Sequence, residues 1–219
     1  TVQVIDTLPD AAGPDGQPLA DIGFTTVRTG AGKDSVTVDT SHGYLTIDTG
    51  DDADRLWVAA TSGQISAVLG AGDDSARLSS SAAGTGLLSA VAGAVSLDGG
   101  DGLDGLVVDG ADGLADTTGN FGPSGMDGLG LGTGGSIGHG GFETVSVALG
   151  RGVDSLSIHG TAADVATTID TGDGDDAIQL ESARGTLLLQ TGRGADSIVV
   201  GDPTDLAVDN DSIQDGLPP

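Results

Sequence analysis

Seven short segments of this chain close on an aspartate four residues after a glycine, a spacing that can offer hard oxygen ligands to a cation. They span 30–34, 50–54, 70–74, 100–104, 150–154, 172–176 and 192–196. Most read G-x-G-x-D, as at Gly30 and Gly32, Gly70 and Gly72, Gly172 and Gly174, and Gly192 and Gly194. In the segment from Gly50, Asp52 stands where the second glycine belongs. Glycine tolerates positive φ, so such a turn can curl its carbonyl oxygens inward while the closing carboxylate completes an oxygen cage. Calcium takes six to eight oxygens at about 2.3–2.6 Å in a forgiving geometry. One turn offers too few, so an ion is expected between successive turns. The candidate ligands are Asp34, Asp54, Asp74, Asp104, Asp154, Asp176 and Asp196, with Asp52, Asp73, Asp101, Asp173 and Asp175 in addition within the turns. Magnesium demands a tighter octahedron, and zinc lacks its nitrogen and sulfur ligands.

The elements that position these turns are legible in the apolar residues around them. After each closing aspartate, apolar residues fall at the second and fourth positions: Val36 and Val38, Leu56 and Val58, Ala76 and Leu78, Leu106 and Val108. Leu156 and Ile158, Ile178 and Leu180, and Ile198 and Val200 continue the series. A second apolar pair precedes most turns, as in Leu45 and Ile47, Ile65 and Ala67, Val95 and Leu97, Val145 and Val147, and Leu187 and Leu189. Alternation with a period of two marks strands with one buried face. The first glycines stand at 30, 50, 70, 100, 150, 172 and 192, so most intervals are 20 to 22 residues. The expected fold is all-β: a parallel β-solenoid with two short strands per coil of about 20 residues, each coil burying its apolar pairs against the next. Val36, Leu56 and Ala76 should share one interior ladder.

The expected organisation is an N-terminal cap or linker over 1–27, a repeat region over 28–201, and a C-terminal linker or tail over 202–219. The interval from 70 to 100 holds about ten extra residues, expected to enlarge one coil or add a half-coil. The Gly-rich stretch 109–141 reads as a degenerate coil plus a surface loop.

Composition narrows the function. Thirty-three acidic residues face seven basic ones, a formal charge of -26, which argues against nucleic acid and anionic membranes and for a cation. The absence of cysteine removes disulfides and thiolate metal sites. No apolar run approaches the roughly 20 residues of a membrane helix. The three histidines, His42, His139 and His159, share no repeat position and are expected at the surface.

The turns resemble the hemolysin-type (RTX) calcium-binding repeat, G-G-x-G-x-D-x-U-x with U apolar. Gly99-Gly100-Asp101-Gly102-Leu103-Asp104-Gly105-Leu106-Val107 fits that pattern in full. The family carries a calcium turn on both sides of each coil, whereas this chain has one per twenty residues, which leads to the expectation of a single calcium row along one edge. The resemblance implies the ion and the fold, and the expected role is an extracellular, bacterial, calcium-stabilised structural or adhesive module binding itself end to end or a surface polymer. No catalysis is expected, because the acids are mostly tied to turns and the histidines share no repeat position. The alternatives are a module of a secreted polysaccharide-acting enzyme and an ice-binding adhesin. Ice binding is disfavoured because the residues between the turn glycines form no Thr/Asn array.

Overall fold

The computed structural model describes residues 2–4 and 23–201, and among these it contains strands and turns but no helix. The expected tail over 202–219 and most of the expected N-terminal cap lie outside the described residues. Eight strands form one sheet: β1 (Val2–Val4), β3 (Ser35–Val38), β5 (Arg55–Val58), β7 (Ser75–Leu78), β9 (Gly105–Asp109), β13 (Thr144–Ala148), β15 (Ala166–Asp170) and β17 (Thr186–Gln190). Ten form the other: β2 (Phe24–Arg28), β4 (Tyr44–Asp48), β6 (Ile65–Ala71), β8 (Ala94–Asp101), β10 (Thr118–Gly122), β11 (Gly125–Asp127), β12 (Ser136–Gly140), β14 (Ser155–Ile158), β16 (Ala177–Leu180) and β18 (Ser197–Val200). The chain therefore crosses between the sheets after nearly every strand, and all pairings are parallel except those of β11.

Period-two alternation produces this architecture because it gives each strand one apolar face. Val36, Val38, Leu56, Val58, Leu78, Leu106 and Val108 are buried from the eight-stranded sheet, and Leu45, Ile47, Ile65, Val95 and Leu97 from the ten-stranded one. They form one continuous core. Burial of each such side chain contributes roughly 1.5–3 kcal/mol. Val36, Leu56 and Ala76 do stand on one ladder, at matched registers. Burial fades at the last described strand, where Ile198 and Val200 are exposed although the alternation persists. At the opposite end Phe24 stacks on Tyr44, with ring centroids 5.0 Å apart.

The two irregular intervals resolve differently. Residues 79–93 form a loop between β7 and β8 with Leu88 and Val91 buried, so they enlarge one circuit and add no strand. The stretch 109–141 departs from the expected surface loop. It holds β10, β11 and β12, an antiparallel meander built into the ten-stranded sheet between β8 and β14. Phe121, Met126, Leu129 and Ile137 supply its buried face, with Phe142 beside them. The meander widens one sheet only, since β9 and β13 remain neighbours in the other. Leu87, Leu88, Leu114, Leu129 and Leu149 line a cavity of about 170 Å³ at this junction.

The meander also corrects one expectation about the histidines. His139 is buried, because β12 turns Ile137 and His139 to the same inward face. Its Nε2 has no hydrogen-bond partner, and burial pushes the imidazole pKa down, favouring the neutral ring. His42 and His159 are exposed as expected, the latter 2.9 Å from Glu181 and 3.4 Å from Asn120.

Candidate metal centre

The turns at 30, 50, 70 and 100 carry the chain from the ten-stranded sheet to the eight-stranded one, whereas those at 150, 172 and 192 carry it the opposite way. Because the connected strands run parallel within each sheet, the two directions of crossing occur on opposite edges. The single row expected from the sequence is thus two rows, four turns on a first edge and three on a second. Backbone bonds confirm the stacking: Asp51 N–H donates to Gly30 O and Ala71 N–H to Gly50 O on the first edge, and Gly174 N–H to Arg193 O on the second.

Within each row the closing aspartates form a hydrogen-bonded ladder. The backbone N–H of Asp34 donates to Asp54 Oδ1 (2.7 Å), that of Asp54 to Asp74 Oδ1 (2.6 Å), and that of Asp74 to Asp104 Oδ1 (2.7 Å). On the second edge Asp154 N–H donates to Asp176 Oδ1 (2.9 Å) and Asp176 N–H to Asp196 Oδ1 (3.1 Å). Asp54, Asp74, Asp104, Asp154 and Asp176 are buried, while Asp34 and Asp196, at the row ends, are half-exposed.

Structure adds rungs that the sequence reading missed. Asp104 N–H donates to Glu143 Oε2 (2.7 Å), so Glu143 closes the first row where no G-x-G-x-D motif stands. The signal was present: Glu143-Thr144-Val145-Ser146-Val147 parallels Asp34-Ser35-Val36-Thr37-Val38. On the second edge, residues 113–117 stack beneath the turn at Gly150, with Arg151 N–H donating to Gly113 O. There Thr117 takes the aspartate's place, and both its N–H (2.8 Å) and its hydroxyl (2.9 Å) donate to Asp154 Oδ1.

The acids inside the turns are used differently. Asp52 Oδ2 accepts from Gly32 N–H, Asp73 Oδ1 from Leu103 N–H, and Asp175 Oδ1 from Ala195 N–H. Asp116 Oδ1 plays the same part for Val153 N–H. Asp101 is exposed and Asp173 half-exposed. Asp52 itself adopts φ +78°, the left-handed conformation that Gly32 and Gly72 hold in its neighbours, which aspartate tolerates better than most residues.

Whether these residues suit a cation turns on the second carboxylate oxygen of each rung. Oδ2 of Asp54, Asp74, Asp104 and Asp154 is buried and has no hydrogen-bond partner. An ionised oxygen left so is costly, and it is resolved by a cation or by a proton. Hard oxygens are what calcium takes, so the donor chemistry fits. Among the described residues no three His, Cys, Asp or Glu side chains converge on one point, so an ion would draw on at most two carboxylates plus backbone carbonyls and water.

Burial, with a neighbouring aspartate adding repulsion, raises the carboxyl pKa of Asp74, Asp104 and Asp154. A carboxyl whose folded pKa is raised binds protons more tightly in the native state, so its contribution to stability falls as pH rises from its unfolded value, about 3.9, through the folded one. In chelator these carboxyls are therefore expected to raise the melting midpoint as the pH falls from neutrality toward their unfolded value of about 3.9, the reverse of ordinary acid denaturation. A midpoint that falls over that range would show that these carboxylates are comfortable when ionised. No family model matches this chain, and neither does any curated protein or solved structure.

Proposed function

We propose that this chain is an extracellular structural or adhesive module, a calcium-stabilised parallel β-solenoid with two short strands per coil. The observation that supports it best is the stack of three consecutive buried carboxylates, Asp54, Asp74 and Asp104, each with one oxygen lacking any partner. A cation shared between adjacent rungs neutralises them and ties each coil to the next. The resemblance of the turns to hemolysin-type calcium repeats agrees with that placement. With so few carboxylates per ion, affinity belongs in the range of extracellular modules, roughly 10⁻⁴–10⁻³ M. At a net charge of -26 the apo coils repel one another, so ion binding becomes folding free energy. The role is mechanical: a stiff stack of coils that forms a stalk, a surface fibre or a layer subunit once the chain meets calcium outside the cell.

A calcium titration of chelator-treated protein, followed by circular dichroism and light scattering, tests this. A rise in β signal or in melting midpoint near millimolar calcium, absent with magnesium, is the expected result. Growth of scattering in the same range favours end-to-end assembly over a single spacer. A protein that is fully β-structured in chelator and indifferent to calcium would leave the aspartates as hydrogen-bonding rungs alone.

A further inference from the structure

The two rows of aspartates differ in what happens to their second oxygens. On the first edge three rungs in succession, Asp54, Asp74 and Asp104, keep a buried Oδ2 without a partner. Each of these residues is 1–3 % exposed, so bulk solvent does not reach that oxygen. Adjacent strands lie about 4.8 Å apart, which puts two free carboxylate oxygens within reach of one ion between each pair of rungs. The second edge offers no such pair. Thr171 Oγ1 donates to Asp176 Oδ2 at 2.6 Å, while Asp176 Oδ1 holds Asp154 N–H, so both oxygens of Asp176 are engaged. Below Asp154 stands Thr117, which brings a hydroxyl and no carboxylate. Asp154 Oδ2 is left free, but alone.

The threonine that closes Asp176 belongs to the turn itself. It occupies the position before the first glycine, where Thr29, Thr49 and Thr191 also stand and which Leu69, Gly99 and Leu149 fill in the other turns. Thr29 and Thr49 direct their hydroxyls elsewhere, to the carbonyls of Thr49 (2.8 Å) and Leu69 (2.6 Å) on the next rung. Asp74 and Asp104 follow Leu69 and Gly99, which have no hydroxyl to give. A threonine before the glycine therefore closes its aspartate's second oxygen only where the hydroxyl turns toward it, as that of Thr171 does and that of Thr49 does not.

We infer that calcium is bound along the first edge only, between the rungs of Asp54, Asp74 and Asp104, and that the second edge is held by threonine hydroxyls in place of the ion. This rests on the calcium reading above and adds the division between edges. The two rows then have separate duties. Calcium locks the N-terminal half of the stack, while the half beyond the meander stays closed in its absence.

Isothermal titration of the chelated protein with calcium alone, with melting midpoints in parallel, tests the division on three variants. Asp74→Asn keeps an acceptor for Asp54 N–H but removes the shared carboxylate, and it is expected to abolish the calcium-dependent rise in midpoint. Asp176→Asn should leave calcium binding as in the wild type. Thr171→Val frees Asp176 Oδ2 beside Asp154 Oδ2 without changing side-chain shape, and it is expected to gain calcium binding that the wild type lacks. Equal loss in Asp74→Asn and Asp176→Asn, with the wild type binding, overturns the division while leaving the calcium reading intact. So does a Thr171→Val chain that binds no more than wild type, a result independent of whether Asp74→Asn folds. A wild type that takes up no calcium overturns both.

Discussion

Replacing Gly70 by alanine is expected to lower the melting midpoint by roughly 10 °C or more. Gly70 has φ +109°, and a Cβ built on it would lie 1.9 Å from the carbonyl oxygen of Gly50. That contact is with backbone, so no side chain can swing aside. Relief requires the rungs to separate where Ala71 N–H donates to Gly50 O at 2.9 Å and where Asp54 and Asp74 are coupled by their own bond. The left-handed conformation alone costs an L-residue roughly 1–2 kcal/mol, and the lost rung contacts add to it. Gly30→Ala is the matched control. Its φ is +88°, but nothing lies within 4 Å of the added Cβ, because Gly30 starts the row. It should show only the backbone penalty, about 1 kcal/mol. Thermal melts of both variants separate the two terms; equal shifts would mean that rung spacing is slack and that the turns are not stacked as described.

Phe121→Ala is expected to destabilise the protein by about 3–5 kcal/mol. Phe121 is 1 % exposed at the centre of the meander, opposite Met126 on β11 and Ile158 on β14, with its ring 6.1 Å from that of His139. Removing the ring leaves a void between strands that join the two halves of the ten-stranded sheet. Leu114→Ala, at an exposed position in the same region, should change stability by less than about 0.5 kcal/mol. Denaturant unfolding of both variants measures this. A Phe121→Ala protein as stable as the Leu114→Ala one would mean that the meander is a surface decoration.

Much of the fold could be read from the chain because strand burial is a local property. Val36 and Val38, Leu45 and Ile47, and Leu56 and Val58 alternate with polar neighbours, and each is buried by the face that this alternation defines. The same logic extended to the turns. A glycine followed four residues later by an inward aspartate recurs in register, and its stacking follows from the repeat length alone. Residues 109–141 resisted the reading for a reason that is equally physical. In Gly119-Asn120-Phe121 and Gly125-Met126-Asp127 a single large apolar residue anchors each short strand, so no alternating pair exists to announce it. Glu143 and Thr117 carry a weaker signal because each has one of the two marking glycines, Gly141 and Gly113 respectively, and neither closes with an aspartate.

The sequence by itself determined the local chemistry: which residues turn, which face inward, and which carboxylates stand at the closing position of each turn. Tertiary structure alone decided where those turns lie. An identical G-x-G-x-D motif serves for a crossing in either direction, so the motif holds no record of its edge. The edge depends on how many times the chain crosses between sheets in the fifty residues from Gly100 to Gly150. That number follows from the meander, whose three strands stay in one sheet and count as a single pass. The fate of each second carboxylate oxygen is tertiary for the same reason. Asp74 and Asp176 close like turns, yet only the packed rung shows that a threonine hydroxyl reaches one and nothing reaches the other.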